Sequence, residues 1–478
     1  MTFPPYKPAI YFGLGLTVFA AFILAFGALR GAFDVRKAGT LVLAAPQKAA
    51  RFPLRVQAGQ RHLSDAAGEP FLLHGDTAWS LIADLTREEV DVYLADRRAR
   101  GFNTLLVSLL EHKFARKAPA NIYGQAPFLP AGDFRMPNEA YFAHADWVLS
   151  RARDNGFLVI LTPAYTGWDG GSDGWWGEMT ASGEEALRAY GRFVGARYRG
   201  LDNIIWVHGG DYTPPNKALV RAVALGIKET APEQLHTSHL APEAFVANFW
   251  EGETWFDVTT IYTYGPVCPK ALEAYAHPLK RPAFLIESAY ENEHGAGAWR
   301  VRTQAYHALL CGASGQVFGN NPIWHFRHAG IFPASGDWWD SLGSPGAQSM
   351  THLTNLFGGL PWRQLEPDIG GQLLTGGKGQ EKHLAVASRT SDGTLGLVYI
   401  PSWRTITLDF SRFASPQVEA QWFDPSNGQV SVVEGSPFGG NDKLQLKPSA
   451  KNAGGDGDWL LILKARPSGI GEPPRSTP

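Results

Sequence analysis

Charged residues are scarce in this chain, since Asp, Glu, Lys and Arg make up 18% of its 478 residues and a quarter is usual. Lys and Arg total 43 and Asp and Glu total 45, so the net charge is -2. A nucleic-acid-binding protein carries an excess of positive charge, and we therefore expect no nucleic-acid partner. The length is sufficient for one large domain with a substantial core and a second, smaller domain.

Cysteine is rarer still. Cys268 and Cys311 are the two cysteines of the chain, and they form neither a CxxC pair nor a metal-binding pattern. They can pair in an oxidising compartment, but we favour the alternative of two buried free thiols. His236 and His239 are three residues apart on a predicted strand, so their side chains point to opposite faces and do not readily share a metal. We expect no metal ion and no other cofactor.

Two nucleotide-binding motifs are also missing. Without G-x-G-x-x-G or G-x-x-x-x-G-K-[ST], the chain is not typical of a nucleotide-binding doubly wound sheet. The G-x-S-x-G match at residues 170–174 lies in a Gly-rich loop, and we do not expect it to form the nucleophile elbow of a serine hydrolase. Aromatic residues, by contrast, are plentiful, with 16 Trp, 15 Tyr and 27 Phe. Their faces suit the C–H faces of sugar rings, although they also fill ordinary cores.

The N-terminal part contains a long uncharged run at residues 8–29. This run reaches the roughly 20 residues needed to cross a bilayer and exceeds the core of a cleaved signal, about 7–15 residues. We therefore favour an uncleaved membrane anchor in residues 1–30 over a removed signal peptide or a buried core helix. Basic residues flank both ends, which leaves the orientation open. We expect the remaining chain to be exported: membrane-anchored, or secreted or periplasmic if the segment is cleaved.

After a linker at residues 31–54, apolar runs alternate with amphipathic helical stretches over residues 55–362. Thr86, with acids in the following turn, predicts a capped helix start. The alternation indicates an α/β fold, either a (β/α)8 TIM barrel or a doubly wound sheet, and the missing nucleotide motifs favour the barrel. The eight strand candidates are residues 71–74, 103–110, 157–161, 203–211, 234–239, 256–262, 282–287 and 315–319.

From residue 363 to residue 466 the pattern changes to short β-rich runs separated by turns such as residues 391–393 and 424–428. This spacing predicts a small all-β sandwich domain. Residues 467–478 are rich in Pro, Gly and Ser and are expected to form a disordered tail.

Two carboxylates each close a strongly apolar run, Asp211 after residues 203–210 and Glu287 after residues 282–286. By strand count they end the fourth and seventh strands, which face each other across the rim where (β/α) barrels carry their active sites. Paired carboxylates suit glycoside hydrolysis. The alternative is that both acids are structural and cap helices or pair with arginine.

Four segments resemble the apiosidase-like (DUF4038) barrels of glycoside hydrolase family 140. They are residues 74–79 (HGDTAW), 206–211 (WVHGGD), 284–291 (FLIESAYE) and 319–324 (GNNPIW). A small β domain named as collagen-binding usually follows such barrels, and the turn at residues 422–425 resembles it. The resemblance covers residues 55–465, and we regard the collagen label as weak.

The resemblance implies a retaining barrel with Asp211 as acid/base and Glu287 as nucleophile. The wider clan commonly ends its fourth strand in Asn-Glu, where this chain has Gly210 and Asp211. Aspartate is one methylene shorter, so either the backbone comes closer to the substrate or the two acids stand further apart. The family name suggests apiose-containing pectin as the carbohydrate substrate, and other glycans stay open.

Further rim residues are candidates for substrate binding. Asp76 and Glu111 end the first and second strands. Asp76 suits the cap of the next helix equally well. His208 suits a buried core position with a hydrogen-bond partner equally well. Trp168, like Trp175 and Trp176, lies in a Gly-containing loop, where a sugar-stacking role is expected for at least one tryptophan of the rim. The expected substrate-binding residues are Asp76, Trp79, Glu111, Tyr165, Trp168, His208, Tyr262, Tyr264, Asn321 and Trp324.

The competing hypothesis is a non-catalytic surface protein in which an inactive barrel and the β domain hold a glycan or a matrix protein. The two hypotheses differ in one geometric expectation. In an enzyme the carboxyl groups of Asp211 and Glu287 converge in an open cleft, about 5–10 Å apart.

Overall fold

The computed structural model describes residues 49–327, 330–334 and 336–466. The predicted membrane anchor or signal in residues 1–30, most of the predicted linker and the predicted disordered tail in residues 467–478 lie outside the described residues. Within the described ranges, no helix combines the length and the apolar character needed to span a membrane.

Eight parallel strands form one sheet that nearly closes into a barrel. Their order is β5-β4-β3-β2-β1-β8-β7-β6, and each corresponds to a predicted strand. The end strands β5 and β6 meet where the Val258 N–H donates to the His236 carbonyl at 3.1 Å. The strands are β1 (Leu73–Thr77), β2 (Thr104–Ser108), β3 (Leu158–Thr162), β4 (Ile204–Gly209), β5 (Leu235–His239), β6 (Thr259–Tyr262), β7 (Ala283–Glu287) and β8 (Gly315–Phe318).

Helices follow the strands as the sequence pattern predicts. Thr86 and Glu89 form a capping box in which each side chain bonds to the other's backbone N–H. The fourth helix begins earlier than the predicted 184–198, but it is broken at Gly183, whose φ is 75°. The helices are α1 (Leu81–Asp84), α2 (Arg87–Ala99), α3 (Glu139–Asp154), α4 (Trp176–Tyr198), α5 (Lys217–Thr230), α6 (Val246–Phe249), α7 (Val267–Ala276), α8 (Ala298–Leu310), α9 (Trp338–Ser341) and α10 (Pro345–Gly358).

Alternation along the strands divides the core into two layers. Ile160 and Phe284 belong to the cluster that fills the barrel interior. Their neighbours Val159 and Leu285 belong to the cluster between the sheet and the helices. This inward and outward alternation is the normal packing of a closed sheet.

Cys268 and Cys311 form a disulfide, with their Cα atoms 5.4 Å apart. Our preference for two free thiols is therefore wrong. The pair lies at the start of α7 and just after the end of α8, helices that pack beside each other in the barrel. A separation of 43 residues in the sequence does not reveal this proximity, which the packing of the two helices creates.

Antiparallel sheets make up the part of the chain after the barrel. One has the order β9-β11-β12-β18-β14-β15, with β16 also paired to β14, and the other has the order β10-β13-β17. Apolar side chains of both sheets, such as Val398 and Leu408, share one core. The strands are β9 (Leu365–Pro367), β10 (Leu374–Gly376), β11 (Val386–Thr390), β12 (Leu395–Ile400), β13 (Ile406–Asp409), β14 (Gln417–Phe423), β15 (Val430–Val432), β16 (Phe438–Gly439), β17 (Lys443–Leu446) and β18 (Trp459–Ala465).

The antiparallel sheets pack on α8, the helix that follows β7. Arg302 of α8 is buried, and its Nε donates to Asp458 Oδ2 at 2.9 Å. Tyr399 of β12 donates to the same carboxylate oxygen at 2.9 Å. Two residues along the helix, Gln304 donates to the carbonyl of Ala289, two residues beyond Glu287, at 2.8 Å. The β domain thus contacts the helix whose Gln304 bonds to the loop after β7.

Candidate active site

The end of β4 is shaped by two glycines. Gly209 has a φ of 103°, and a Cβ there would lie 2.1 Å from the His239 carbonyl oxygen. A Cβ on Gly210 would lie 2.6 Å from the Tyr165 ring. Only glycine fits both positions. Because the chain passes this close to β5 and to the loop after β3, Asp211 emerges at the mouth of the barrel.

An irregularity in the pairing of β7 with β6 sets the direction of the Glu287 side chain. Leu285 packs toward the helices, so strict alternation would turn Glu287 outward as well. The pairing of β7 with β6 shifts register between Leu285 and Glu287. Such shifts re-aim side chains beside active sites, and here the Glu287 carboxylate turns into the mouth.

Asp211 and Glu287 converge there together with His239. One polar side-chain atom from each residue lies within 4.8 Å of the other two. His239 Nε2 is 2.9 Å from Glu287 Oε2, and His239 Nδ1 is 3.8 Å from Asp211 Oδ1. The Glu287 side chain is 7% exposed and the Asp211 side chain 17%, so Asp211 is the more accessible acid.

Three of the predicted tyrosines support the acids. Tyr165 donates its hydroxyl hydrogen bond to Asp211 Oδ2 at 2.7 Å. Tyr264 donates to Glu287 Oε1 at 3.2 Å, and Tyr262 donates to the Tyr264 hydroxyl at 3.1 Å. The Tyr262 ring also lies 4.6 Å from the His239 ring. The tyrosines therefore hydrogen-bond to both carboxylates, and Tyr262 packs against the imidazole.

Burial and mutual repulsion govern the charges of this cluster. Burial, and then the nearby Asp211 charge, raise the pKa of Glu287 to about 7, while hydrogen bonds from His239 and Tyr264 oppose the rise. Burial lowers the pKa of His239, but its hydrogen bond to Glu287 and the charges of both acids outweigh burial and raise it overall. Groups this close titrate together rather than singly.

Aromatic side chains surround the cluster. The Trp79 ring centroid lies 6.0 Å from that of His239 and 6.1 Å from that of Tyr165, and its Nε1 donates to the Tyr290 hydroxyl at 3.0 Å. Trp168 is 55% exposed and lies in the loop whose Asp169 N–H donates to the Asp211 carbonyl at 3.1 Å. Trp79 therefore lies beside the cluster, and Trp168 lies in a loop that bonds to the Asp211 backbone.

Trp324 and Asn321 stand behind this first ring of aromatics. The Trp324 ring packs edge-on against Tyr290, 6.4 Å away, and its Nε1 donates to Glu293 Oε1 at 2.8 Å. Asn321 is fully buried, and its Oδ1 lies 3.1 Å from His325 Nε2. These two residues support the wall that Trp79 and Tyr290 form.

Asp76 and Glu111 lie apart from the cluster, at buried positions with structural partners. Asp76 Oδ2 accepts hydrogen bonds from the Tyr93 hydroxyl at 2.7 Å and from Arg97 Nη1 at 3.3 Å. Glu111 Oε2 accepts from the Ser80 hydroxyl at 2.8 Å, and its Oε1 accepts from the backbone N–H groups of the turn that follows. Both carboxylates therefore have structural roles in the barrel.

His208 is also directed away from the mouth. It is buried on the outer face of β4, where its Nε2 lies 2.9 Å from His236 Nδ1 and its ring packs edge-on against Trp255. Burial lowers the pKa of His208 to about 3. His236 thus lies on the outer face of β5 and His239 on the inner face, as the alternation predicts.

Comparison with known proteins identifies the family of the chain. The family model described as "Apiosidase-like, catalytic domain" matches residues 57–364. The chain belongs to the apiosidase-like family. It is accordingly a glycoside hydrolase. Residues 367–464 match a second family model, "Putative collagen-binding domain of a collagenase". No curated protein sequence matches the chain significantly.

Solved structures share the fold of the apiosidase-like domain and the sheets behind it. A glycoside hydrolase family 5 protein from Bacteroides vulgatus ATCC 8482 is 24% identical, with a TM-score of 0.76 over 86% of this chain and 93% of that one. A second structure, described as a glycoside hydrolase, is 25% identical, with a TM-score of 0.75 over 86% of this chain and 96% of that one.

Two residues of the apiosidase-like domain escaped the sequence analysis. His239 is the last residue of β5, a position equivalent to those that singled out Asp211 and Glu287, but it was considered only as half of a metal pair. Tyr290 lies three residues after Glu287 and bonds to Trp79. Attention to every polar residue at a strand end would have found His239; Tyr290 is recognisable only from the folded loop.

Asp211, His239 and Glu287 are residue types that also bind metal ions. The ring nitrogen of His239 that faces Glu287, however, is already within direct hydrogen-bond distance of that carboxylate. In this geometry the His239 and Glu287 side chains form a hydrogen-bonded acid–base pair.

Proposed function

We propose that this protein hydrolyses a glycosidic bond in a poly- or oligosaccharide with retention of configuration, with Asp211 as acid/base and Glu287 as nucleophile. The observation that carries the proposal is the approach of the two carboxylates to within 4.8 Å. Retaining glycosidases hold their carboxyl groups about 5–5.5 Å apart, and inverting enzymes about 6.5–9.5 Å. The short spacing supports retention.

The surroundings of each acid support unequal roles. Glu287 accepts from Tyr264 and contacts His239, so both its oxygens are oriented, as an attacking carboxylate requires. Asp211 is more exposed and has one tyrosine donor. An acid at the open side of the cleft can reach a leaving-group oxygen.

The proposed reaction has two steps. Glu287 attacks the anomeric carbon while the glycosidic C–O bond breaks and Asp211 gives its proton to the leaving oxygen. Water then attacks the glycosyl ester, Asp211 takes the proton from that water, and the Glu287 carboxylate is released. The shorter side chain of Asp211 is compatible with this role, since Gly209 and Gly210 allow the close backbone approach that supports the observed spacing.

Apiose-containing pectin is the substrate class that the family name suggests, and the exposed Trp168 and partly exposed Trp79 are suitable surfaces for sugar rings. An exported location, membrane-anchored or secreted, is supported by the Cys268–Cys311 disulfide, because such bonds persist in oxidising compartments. The β domain is proposed to brace the barrel through Arg302.

Digestion of a glycan library tests the proposal. Wild type is expected to release sugar, Asp211→Asn and Glu287→Gln are not, and NMR of the first-formed product should give the anomer of the substrate. Asp202→Asn and Glu366→Gln, at exposed positions, are the matched controls and should retain activity. Full activity of both site variants would reject the assignment; glycan binding without release by wild type would favour the non-catalytic alternative.

A further inference from the structure

His239 connects the two acids through its two ring nitrogens. It is 1% exposed, with Nε2 at 2.9 Å from Glu287 Oε2 and Nδ1 at 3.8 Å from Asp211 Oδ1. Within the described part of the chain, neither His239 Nδ1 nor Asp211 Oδ1 has a hydrogen bond of standard geometry, although both atoms are buried. Two unsatisfied polar atoms that face each other in a buried site call for a functional explanation.

The number of protons in the cluster provides a functional explanation for these two atoms. The first chemical step requires a protonated Asp211 and an ionised Glu287, with His239 neutral. An imidazolium on His239 between two carboxylates holds the same number of protons. The two states therefore differ only in the position of one proton, which lies either on His239 Nδ1 or on Asp211 Oδ1.

The groups packed around His239 favour the imidazolium. Glu287 and Asp211 supply negative charge, and the nearest aromatic neighbours are Tyr262 and Trp79. Burial first, and the charges of both acids next, raise the pKa of Tyr262 and of Tyr264, so these phenols stay neutral. A cation between the carboxylates also offsets the repulsion that their close approach creates.

We infer that His239 stores the proton that Asp211 delivers to the leaving group, an inference that rests on the proposed function. The Nδ1–H proton passes to Asp211 Oδ1, and rotation of the carboxyl group carries it to the leaving oxygen as the C–O bond breaks. The gap of 3.8 Å must first close by about 1 Å to reach hydrogen-bond length. The Nε2–H stays with Glu287 throughout and keeps the nucleophile oriented.

The second step restores the stored proton. Water attacks the glycosyl ester of Glu287, its proton goes to Asp211, and from there it returns to His239 Nδ1. The cycle consumes one water molecule and no other reactant. His239 acts through Asp211 and Glu287 in this scheme and is therefore a positioning and proton-storing residue.

His239→Gln separates proton storage from orientation. Its amide can still donate toward Glu287, but it holds no exchangeable extra proton. With a sugar as leaving group, kcat/KM is expected to fall roughly 100-fold, the lower range for loss of acid catalysis. With a dinitrophenyl leaving group, which departs without a proton, the fall should be only a few-fold. The high-pH limb of the kcat/KM profile should also move to lower pH.

Three control variants test the interpretation of this result. Asp211→Asn should show the same dependence on the leaving group, and Glu287→Gln should lose activity toward both substrates. His236→Gln makes the same change on the outer face of β5 and should leave the leaving-group dependence as in wild type. Equal losses of His239→Gln on both substrates, or an unmoved high-pH limb, would mean that His239 only orients Glu287, and the inference would be overturned.

A direct measurement does not depend on hydrolysis. In protein labelled with 15N-histidine, NMR should detect a His239 imidazolium at neutral pH, and Asp211→Asn should lower its pKa. A His239 that stays neutral from pH 5 to pH 8 in an active enzyme would refute proton storage and leave the proposed function intact. An imidazolium in a protein that cleaves no glycoside would reject the proposed function instead.

Discussion

Four acids end strands of the barrel, and they fall into two pairs. Asp76 and Glu111 direct their oxygens to Arg97, to hydroxyl groups and to backbone N–H donors. Asp211 and Glu287 face each other, with an imidazole and tyrosine hydroxyls between and beside them. A position at the end of a strand is therefore not sufficient for a place in the site.

The charged groups beside each acid distinguish the two pairs better than the size of the pKa shift does. Burial raises the pKa of Asp76 to about 6 and that of Glu287 to about 7. Beside Asp76, the charge of Arg97 opposes the rise; beside Glu287, the charge of Asp211 adds to it. A buried acid paired with an arginine serves the scaffold, whereas a buried acid that faces a second acid beside a titratable histidine is a candidate for catalysis.

The largest expected effect is the loss of kcat in Glu287→Gln, compared with Glu111→Gln. Loss of the nucleophile should lower kcat by roughly 10⁴-fold or more, while the Glu111 variant should keep most of its kcat and lose stability. The pKa of Glu287 is raised from 4.5 to about 7, so its stabilising contribution falls as pH rises through that window. Glu287→Gln should then melt above wild type at pH 8 and lose that advantage at pH 5. Similar kcat losses in the two variants would contradict the distinction between a catalytic Glu287 and a structural Glu111.

The sequence predicts strands such as β4 and β7 well because short apolar runs precede Asp211 and Glu287. It does not predict which way the final side chain turns. Asp76 follows the alternation outward, and Glu287 escapes it only through a register shift that long-range pairing creates. The capping box at Thr86 is local and was predictable; the Cys268–Cys311 bond depends on helix packing and was not.

A second prediction concerns the scaffold pair. Arg97→Met leaves Asp76 buried without its cation and should lower the free energy of unfolding by about 3–5 kcal/mol at pH 8. Loss of Arg97 removes an influence that lowers the pKa of Asp76, so the variant carboxyl should be protonated and neutral at pH 5. The deficit should therefore shrink at that pH in urea unfolding. Asp76→Asn combined with Arg97→Met removes both charges and should recover stability at pH 8. A deficit that does not change with pH would assign the loss to packing instead.

The smallest expected effect concerns two tryptophans of the loop after β3, one exposed and one buried. Trp168 is exposed in the loop that bonds to the Asp211 backbone, whereas Trp175 is buried and its Nε1 donates to the Leu110 carbonyl. Trp168→Ala should raise KM about 2–12-fold, the equivalent of roughly 0.5–1.5 kcal/mol for an aromatic contact, with the melting temperature unchanged. Trp175→Ala should instead destabilise the fold by about 3–5 kcal/mol. An unchanged KM in Trp168→Ala, measured on the glycan that wild type cleaves best, would mean that this side chain does not contact substrate. The exposed aromatic would then resemble Asp76, a residue suitably placed in the sequence and unused by the site.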